Sequence, residues 1–151
     1  TISGYKRVQD YSFSPTQVTW GLDHRLVVVR SIFGEGNGNR LEARWAGADA
    51  NPYLVFAAVL GAGLDGLEND YDLMEVVVTD PHVDERWERL PGDIEGAIAN
   101  FDTPFNRSVF GDVFVENFII MQQREAAAFA AEADHSQDVT DWEIARYRAV
   151  V

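Results

Sequence analysis

The chain has 151 residues, no cysteine and a formal net charge of −13. A chain of this length can bury one hydrophobic core, and the lack of cysteine excludes a disulfide framework and thiolate chemistry. The negative charge disfavours a nucleic-acid or anionic-membrane surface, and no apolar run approaches the roughly 18 residues that a membrane span needs. We therefore expect a globular cytoplasmic protein that binds no nucleic acid and no membrane.

The first third of the chain is predicted to form strands. Residues 16–20 and 26–31 are rich in β-branched and aromatic side chains, with a turn at 21–23 between them. The glycine-rich stretch 34–39 lacks the Walker and dinucleotide-binding patterns. It is therefore interpreted as a hairpin turn, which leads into a third strand at 40–45.

The remainder is predicted to be mainly helical. Asn51 before Pro52 is typical of a helix start, and apolar residues follow at helical spacing. The glycines at 61, 63 and 66 weaken helix propensity, so we expect close packing to compensate for them. Four further elements are predicted in chain order: a short strand at 76–79, a short helix at 94–101, a long helix at about 112–131 with Phe114, Phe118 and Met121 on one stripe, and a last helix that begins at a Thr140/Glu143 capping box.

Positive charge is concentrated in the predicted β-rich segment. Residues 1–44 contain six basic and four acidic side chains, whereas the rest of the chain contains six basic and 21 acidic ones. A locally basic segment in so acidic a chain favours a site for a small anion, although chance remains an alternative on composition alone.

The third predicted strand alternates in charge. Side chains in a strand point to opposite faces in turn, so Leu41, Ala43 and Trp45 share one face and Arg40, Glu42 and Arg44 share the other. The two arginines would lie roughly 13 Å apart with the carboxylate between them. One interpretation is a solvated salt-bridge ladder, which stabilises a fold by only about 0–1 kcal/mol. The other is a site in which Glu42 ligates Mg²⁺ or Mn²⁺ while the arginines, joined by Arg25 and Arg30, bind phosphate or carboxylate oxygens.

Five segments, taken in order and spacing, resemble the glutamine synthetase family. They are Tyr5-Lys6-Arg7, Trp20-Gly21-Leu22-Asp23-His24-Arg25, Val29-Arg30, Arg40-Leu41-Glu42-Ala43-Arg44 and Gly47-Ala48-Asp49-Ala50-Asn51-Pro52-Tyr53. The resemblance is close over residues 4–69 and looser over the rest of the chain.

The resemblance implies a role for each charged residue of these segments. Arg7 would bind the α-carboxylate of glutamate, and Arg44 would contact its γ-carboxylate as that group becomes an acyl phosphate. Arg25, the second catalytic residue, would stabilise the phosphoryl group in transfer. Arg30 and Arg40 would bind the phosphates of ATP, and Glu42 would ligate Mg²⁺ or Mn²⁺.

The activity implied is ATP-dependent ligation of the glutamate γ-carboxylate to an amine through γ-glutamyl phosphate. Phe13 stands where the ammonia-using members carry a glutamate. A phenylalanine at this position resembles the γ-glutamyl-polyamine and other γ-glutamyl-amide synthetases. Glutamine synthetase using ammonia remains the alternative, with Phe13 merely packing the flap. A non-catalytic subunit of an oligomer is the alternative of another class. A guanidino kinase is disfavoured by the Asn51-Pro52-Tyr53 context.

The resemblance also implies an α+β fold, an antiparallel sheet followed by packed helices. Residues 1–151 would be the C-terminal part of the catalytic domain, with a β-rich active-site segment at 1–46 and a mainly helical part at 47–151. The family's N-terminal domain and upstream catalytic part would lie outside this chain, which alone would be inactive, and the full-length protein would form a homo-oligomeric ring.

His24 stands where the family usually has asparagine, and we expect a structural role for it. No counterpart of the family's adenylylated tyrosine loop is found between Tyr71 and Leu90.

Overall fold

A computed structural model describes residues 1–132 and 138–149. The α+β class is confirmed, with three strands and six α-helices in the described residues. The elements are α1 (Ile2–Tyr5), β1 (Trp20–Leu22), β2 (Val29–Ile32), β3 (Arg40–Ala43), α2 (Pro52–Asn69), α3 (Ile94–Ala99), α4 (Pro104–Phe110), α5 (Asp112–Glu132) and α6 (Asp141–Tyr147), with 3₁₀ turns at Gly36–Gly38 and Pro81–Val83.

The three strands form one mixed sheet in the order β1-β2-β3. β2 and β3 are antiparallel as expected, but β1 and β2 are parallel, so the expectation of a wholly antiparallel sheet is wrong. Parallel neighbours usually need a connection of a dozen or more residues. Here six suffice, because β1 is only three residues long, about 10 Å, and Asp23 turns the chain at a φ of 48°.

Of two segments expected to be strands, 16–20 contributes only Trp20 to the sheet and 76–79 contributes no residue. Residues 16–19 make an isolated bridge between Gln17 and Arg89 before β1 begins at Trp20. The segment 76–79 makes one ladder-like contact with β1, in which the Val77 amide donates to the Trp20 carbonyl at 3.0 Å. Both segments therefore line the sheet without extending its ladder.

The described chain divides into two compact units. One comprises Arg7–Gly47 and Gly63–Leu90, contains the sheet, and buries Val27, Val28 and Val77. The other comprises Thr1–Lys6, Ala48–Ala62 and Pro91–Val151. Its core is made by Ile2, Ile94, Ala126 and Phe129, with Tyr5, Ile98 and Trp142 packed against it.

The aromatic residues of α5 form the stripe that their spacing predicts. Phe114 and Phe118 lie one helical turn apart with ring centroids 5.4 Å from each other. Phe118 also contacts Phe101 at 5.0 Å, and Phe114 contacts Phe110 at 5.4 Å. Met121, expected on the same stripe, is more than half exposed.

Of the three glycines singled out in α2, one is required by close packing. A Cβ at Gly61 would lie 2.7 Å from Cγ2 of Val109 in α4. At Gly63 and Gly66, apart from the adjoining residues and the local helix backbone, no heavy atom of the described residues lies within 4 Å of the Cβ position. The expectation of compensating contacts is thus confirmed for Gly61 and wrong for the other two.

The capping box at α6 is confirmed, and its glutamate is also buried. Thr140 Oγ1 accepts from the Glu143 amide, and the Glu143 carboxylate accepts from the Thr140 amide at 2.8 Å. The same carboxylate accepts from Lys6 Nζ at 2.7 Å and from Ser3 Oγ at 2.8 Å. Burial alone would raise the pKa of Glu143, but these hydrogen bonds, led by that from Lys6, lower it to about 2.

Candidate active site

Glu42 of β3 lies between two arginines. Arg30 of β2 is its cross-strand partner and donates from Nη1 to Glu42 Oε2 at 3.2 Å. Arg44, two residues along the chain, donates from Nη1 to the other carboxylate oxygen. The hydrogen bond and charge of Arg44, followed by those of Arg30, lower the pKa of Glu42 below its ordinary value. Glu42 is therefore a carboxylate at neutral pH, and it shares a face with Arg44 as the alternation predicts.

Arg30 is shared between Glu42 and a second carboxylate. Its Nε and Nη2 both donate to Asp23 Oδ1. Asp23 follows β1 directly, so the parallel pairing of β1 with β2 brings the two side chains together. The hydrogen bond from Arg30 lowers the pKa of Asp23, and the charges of Arg25 and Arg40 add to that effect.

Arg25 and Arg40 are exposed cations of the same unit. Arg40 Nη1 donates to the Gly38 carbonyl at 3.0 Å. Within residues 1–132 and 138–149, Arg40 has no ion-pair partner, and Arg25 has neither a hydrogen-bond nor an ion-pair partner. Their guanidinium groups can therefore bind an anionic ligand without first breaking a salt bridge within that part of the chain.

Each of the two arginines expected to bind glutamate contacts one residue of the loop that contains Phe13 and Ser14. Arg7 Nη1 donates to Ser14 Oγ at 2.8 Å, and its Nη2 donates to the Trp45 carbonyl at 2.6 Å. Arg44 Nη2 donates to the Phe13 carbonyl at 3.3 Å, while its Nε is buried without a protein partner among the described residues. The side chain of Phe13 is 77% exposed and remains free to contact a ligand.

The five arginines exceed the carboxylates that pair with them. Asp23 and Glu42 are the acidic partners within the described residues, which leaves a local excess of three positive charges. The salt-bridge interpretation of β3 is thus realised in part, since Glu42 is neutralised by its two arginines. The surplus cations suit a ligand that carries several negative charges.

Glu42 is the residue that the sequence assigns to a metal ion. Glu42 offers an ionised oxygen ligand of the kind that Mg²⁺ and Mn²⁺ prefer. The described residues contain no group of three or more acidic or histidine side chains that could hold a metal ion. Glu42 can therefore supply one ligand, and the others would have to come from outside the described residues or from bound substrate.

His24 has a structural environment. Its Nδ1 accepts from the Leu26 amide at 3.2 Å, so the ring proton is on Nε2, which donates to the Thr79 carbonyl at 3.0 Å. Both nitrogens serve the backbone of the sheet-containing unit, which supports the structural role expected for this residue.

Two residues of this site were not predicted from the sequence. The contact of Asp23 with Arg30 depends on the strand register, and that of Ser14 with Arg7 depends on a loop; neither leaves a periodic signal. The only available hint was the position of Asp23 inside a segment already interpreted as a turn.

The described part of the chain contains no helix that is both long enough and apolar enough to cross a bilayer.

Comparison with known proteins supports the resemblance. Residues 1–147 match the family model described as glutamine synthetase, catalytic domain. The chain is 35% identical over 146 residues to a γ-glutamylethanolamide synthetase of Streptomyces coelicolor, covering 96% of this chain and 30% of that protein. It is 33% identical over 156 residues to a type-1 glutamine synthetase of Dictyostelium discoideum, covering 100% of this chain and 29% of that protein.

The fold is also found among solved structures. The structure of GmaS in complex with ADP superposes with a TM-score of 0.69 at 24% identity, covering 97% of this chain and 36% of that one. The chain thus spans about a third of the length of the relatives it matches. The family model extends over nearly the whole chain, and the chain therefore belongs to the glutamine synthetase catalytic-domain family.

Proposed function

We propose that the full-length protein is an ATP-dependent ligase that joins the γ-carboxylate of glutamate to an amine. The observation that carries this proposal is that five arginines of the sheet-containing unit have only Asp23 and Glu42 as carboxylate partners among the described residues, in a chain whose net charge is −13. ATP and glutamate together bring several negative charges to one place. Fixed guanidinium groups offset that repulsion and stabilise the charge of a phosphoryl group in transfer.

The reaction proceeds in two displacements. A γ-carboxylate oxygen of glutamate attacks the γ-phosphorus of ATP, and the bond from that phosphorus to the bridging oxygen of ADP breaks. The amine nitrogen then attacks the activated carbonyl carbon, inorganic phosphate leaves, and the nitrogen loses a proton. We assign Arg30 and Arg40 to the ATP phosphates, Arg25 to the phosphoryl group in transfer, Arg44 to the γ-carboxylate and Arg7 to the α-carboxylate.

Glu42 would contribute one ligand to Mg²⁺ or Mn²⁺. When bound, the metal ion neutralises phosphate charge and polarises the phosphoryl group. Arg30 Nη1 donates to Glu42 Oε2 at 3.2 Å, so Arg30 would have to turn towards the substrate phosphates for that oxygen to bind the metal ion. The ion pairs with Arg30 and Arg44 orient the Glu42 carboxylate and keep it ionised.

The acceptor is proposed to be an amine larger than ammonia. Phe13 is 77% exposed, and its backbone carbonyl accepts from Arg44, the arginine proposed to contact the γ-carboxylate, so an uncharged aromatic residue in this position supports an organic acceptor. Overall identity does not separate the two acceptors, because an ethanolamide synthetase and a glutamine synthetase match almost equally well. Ammonia is therefore the second candidate.

The family resemblance is the basis for proposing in addition a cytoplasmic location and a homo-oligomeric ring.

The proposal is tested by phosphate release from the full-length protein with glutamate, ATP, Mg²⁺ and one acceptor at a time. The panel comprises ammonia, ethanolamine, isopropylamine, butylamine and putrescine. We expect release with at least one organic amine to exceed that with ammonia, and the γ-glutamyl amide to be detected by mass spectrometry. Release with ammonia alone would establish glutamine synthetase activity instead. No release with any acceptor would favour the non-catalytic subunit.

A further inference from the structure

A buried histidine outside the arginine cluster has no role in the function proposed so far. The side chain of His82, in the 3₁₀ turn Pro81–Val83, is only 1% exposed. Its Nδ1 lies 2.7 Å from Asp80 Oδ1, and the same oxygen accepts from the His82 amide at 2.9 Å. One carboxylate oxygen of Asp80 therefore contacts both the imidazole and the backbone amide of His82, whereas the buried Nε2 has no partner among the described residues.

The ring that contacts His82 belongs to an otherwise exposed tyrosine. Tyr11 is 82% exposed, and its ring centroid lies 5.8 Å from that of His82 with an interplanar angle of 31°. The backbone of Tyr11 has a φ of 62°, a conformation that costs free energy for any residue with a Cβ. The turn that contains Tyr11 is closed by Ser12, whose amide and hydroxyl donate to the Gln9 carbonyl at 3.3 and 2.7 Å, and the Tyr11 ring adds its contact with His82.

The tyrosine lies in the segment that reaches both glutamate-binding arginines. Its neighbour Asp10 is held by Arg89 Nη2 at 2.8 Å and by Thr16 Oγ1 at 3.0 Å. Two and three residues after Tyr11, the Phe13 carbonyl accepts from Arg44 and the Ser14 hydroxyl accepts from Arg7. A change in the backbone at Tyr11 would therefore displace the acceptors that orient both guanidinium groups.

We propose that His82 is a positioning residue, which supports Tyr11 and through it holds the segment 10–14 in the conformation that orients Arg7 and Arg44 for glutamate. This inference rests on the proposed function and adds to it a residue far from the reacting atoms. It predicts an effect on glutamate binding rather than on the phosphoryl-transfer step.

The test uses four variants of the full-length protein. His82→Leu removes the imidazole and keeps an apolar side chain in the buried site. Tyr11→Gly accepts a positive φ but removes the ring, and it leaves His82 untouched if His82→Leu fails to fold. Tyr11→Phe keeps the ring contact and serves as the conservative control. Val77→Ala, at a buried position outside the segment, controls for a general loss of stability.

Two readouts are measured on each variant: hydrogen exchange of peptides covering residues 8–14, and the steady-state constants for glutamate. For His82→Leu and Tyr11→Gly we expect exchange in this segment to be about tenfold faster, with KM for glutamate raised about fivefold or more and kcat within about twofold. Tyr11→Phe and Val77→Ala should retain the wild-type exchange of this segment and the wild-type KM.

Unchanged exchange in both test variants would overturn the structural half of the proposal, whatever the protein catalyses. Faster exchange with an unchanged KM for glutamate would overturn the link to substrate binding. A wild-type protein that forms no γ-glutamyl product would overturn the proposed function itself, and the exchange measurement would still show whether His82 holds the segment.

Discussion

Arg30 and Glu42 are directly opposite each other across the antiparallel pair of β2 and β3, and Arg30 Nη1 donates to Glu42 Oε2 at 3.2 Å. Opposite residues on one face of such a pair are the closest side-chain neighbours in a sheet. The register of two short strands therefore places the one carboxylate of β3 between guanidinium groups, where it remains ionised.

Removal of the Glu42 carboxylate is expected to weaken metal binding selectively. Glu42→Gln keeps the size of the side chain but removes its charge, so the half-saturating Mg²⁺ concentration for phosphate release should rise by at least about tenfold. Glu75→Gln is the matched control, because Glu75 is an exposed carboxylate of the same unit that pairs with Arg86. An unchanged Mg²⁺ requirement in Glu42→Gln would exclude direct ligation.

Arg25 is expected to act on the chemical step. It is exposed and has no hydrogen-bond or ion-pair partner in the part of the chain that the structure describes, so its replacement breaks no observed salt bridge there. Arg25→Ala in the full-length protein should lower kcat by roughly 10²- to 10³-fold, as expected for loss of one group that stabilises transition-state charge. Arg86→Ala, which removes an arginine paired with Asp84 and Glu75, should turn over normally. Turnover of Arg25→Ala within a fewfold of wild type would refute the assigned role.

The features that depended on local pattern were predictable from the sequence. Alternation along residues 40–45 placed Glu42 and Arg44 on one face, and their ion pair confirms it. The capping residues of α6 and the aromatic stripe of α5 were likewise predictable, because side chains three and four residues apart meet on a helix.

The features that depended on strand register or on contacts between residues distant in sequence were not predictable from the sequence. The parallel pairing of β1 and β2 requires a positive φ at Asp23 and a return in six residues, and a turn propensity at residues 21–23 does not specify the direction in which the next strand pairs. The contact of Arg30 with Asp23 follows only from that pairing. In the same way, the capping box indicated that Glu143 begins a helix, but it could not indicate that Lys6, 137 residues earlier, would pair with it.

The buried Glu143 predicts a specific loss of stability in acid. Glu143→Gln removes the buried carboxylate that pairs with Lys6 and should lower the free energy of unfolding at pH 7 by about 3 kcal/mol. The pKa of Glu143 is held at about 2, below its ordinary value of 4.5, so its contribution is complete above pH 4.5 and is lost as the pH falls towards 2. The difference between wild type and variant should therefore shrink across that interval.

Chemical denaturation at pH 7, 5, 4 and 3 measures this difference directly. Glu85→Gln, which alters an exposed carboxylate, should show little difference from wild type at any of these pH values. A wild-type advantage over Glu143→Gln that stayed constant from pH 7 to pH 3 would show that the Lys6–Glu143 pair does not contribute in the way its geometry indicates.

Gly61 and Gly63 lie two residues apart in α2 and are expected to respond oppositely to the same substitution. A Cβ at position 61 would lie 2.7 Å from Cγ2 and 3.2 Å from Cγ1 of Val109, whose branched side chain cannot easily move aside. Gly61→Ala should therefore destabilise the protein by about 1–3 kcal/mol. Gly63→Ala meets no described atom within 4 Å and should stabilise the helix by up to about 1 kcal/mol.

Urea denaturation of the two variants gives the sign of each effect, and a double variant identifies its cause. Val109→Ala removes both methyl groups that the new Cβ would meet, so Gly61→Ala introduced into that background should cost much less than it does in the wild type. Equal costs in both backgrounds would mean that the contact with Val109 is not what requires glycine at position 61. The helix geometry, rather than the approach of α4, would then have to explain the residue.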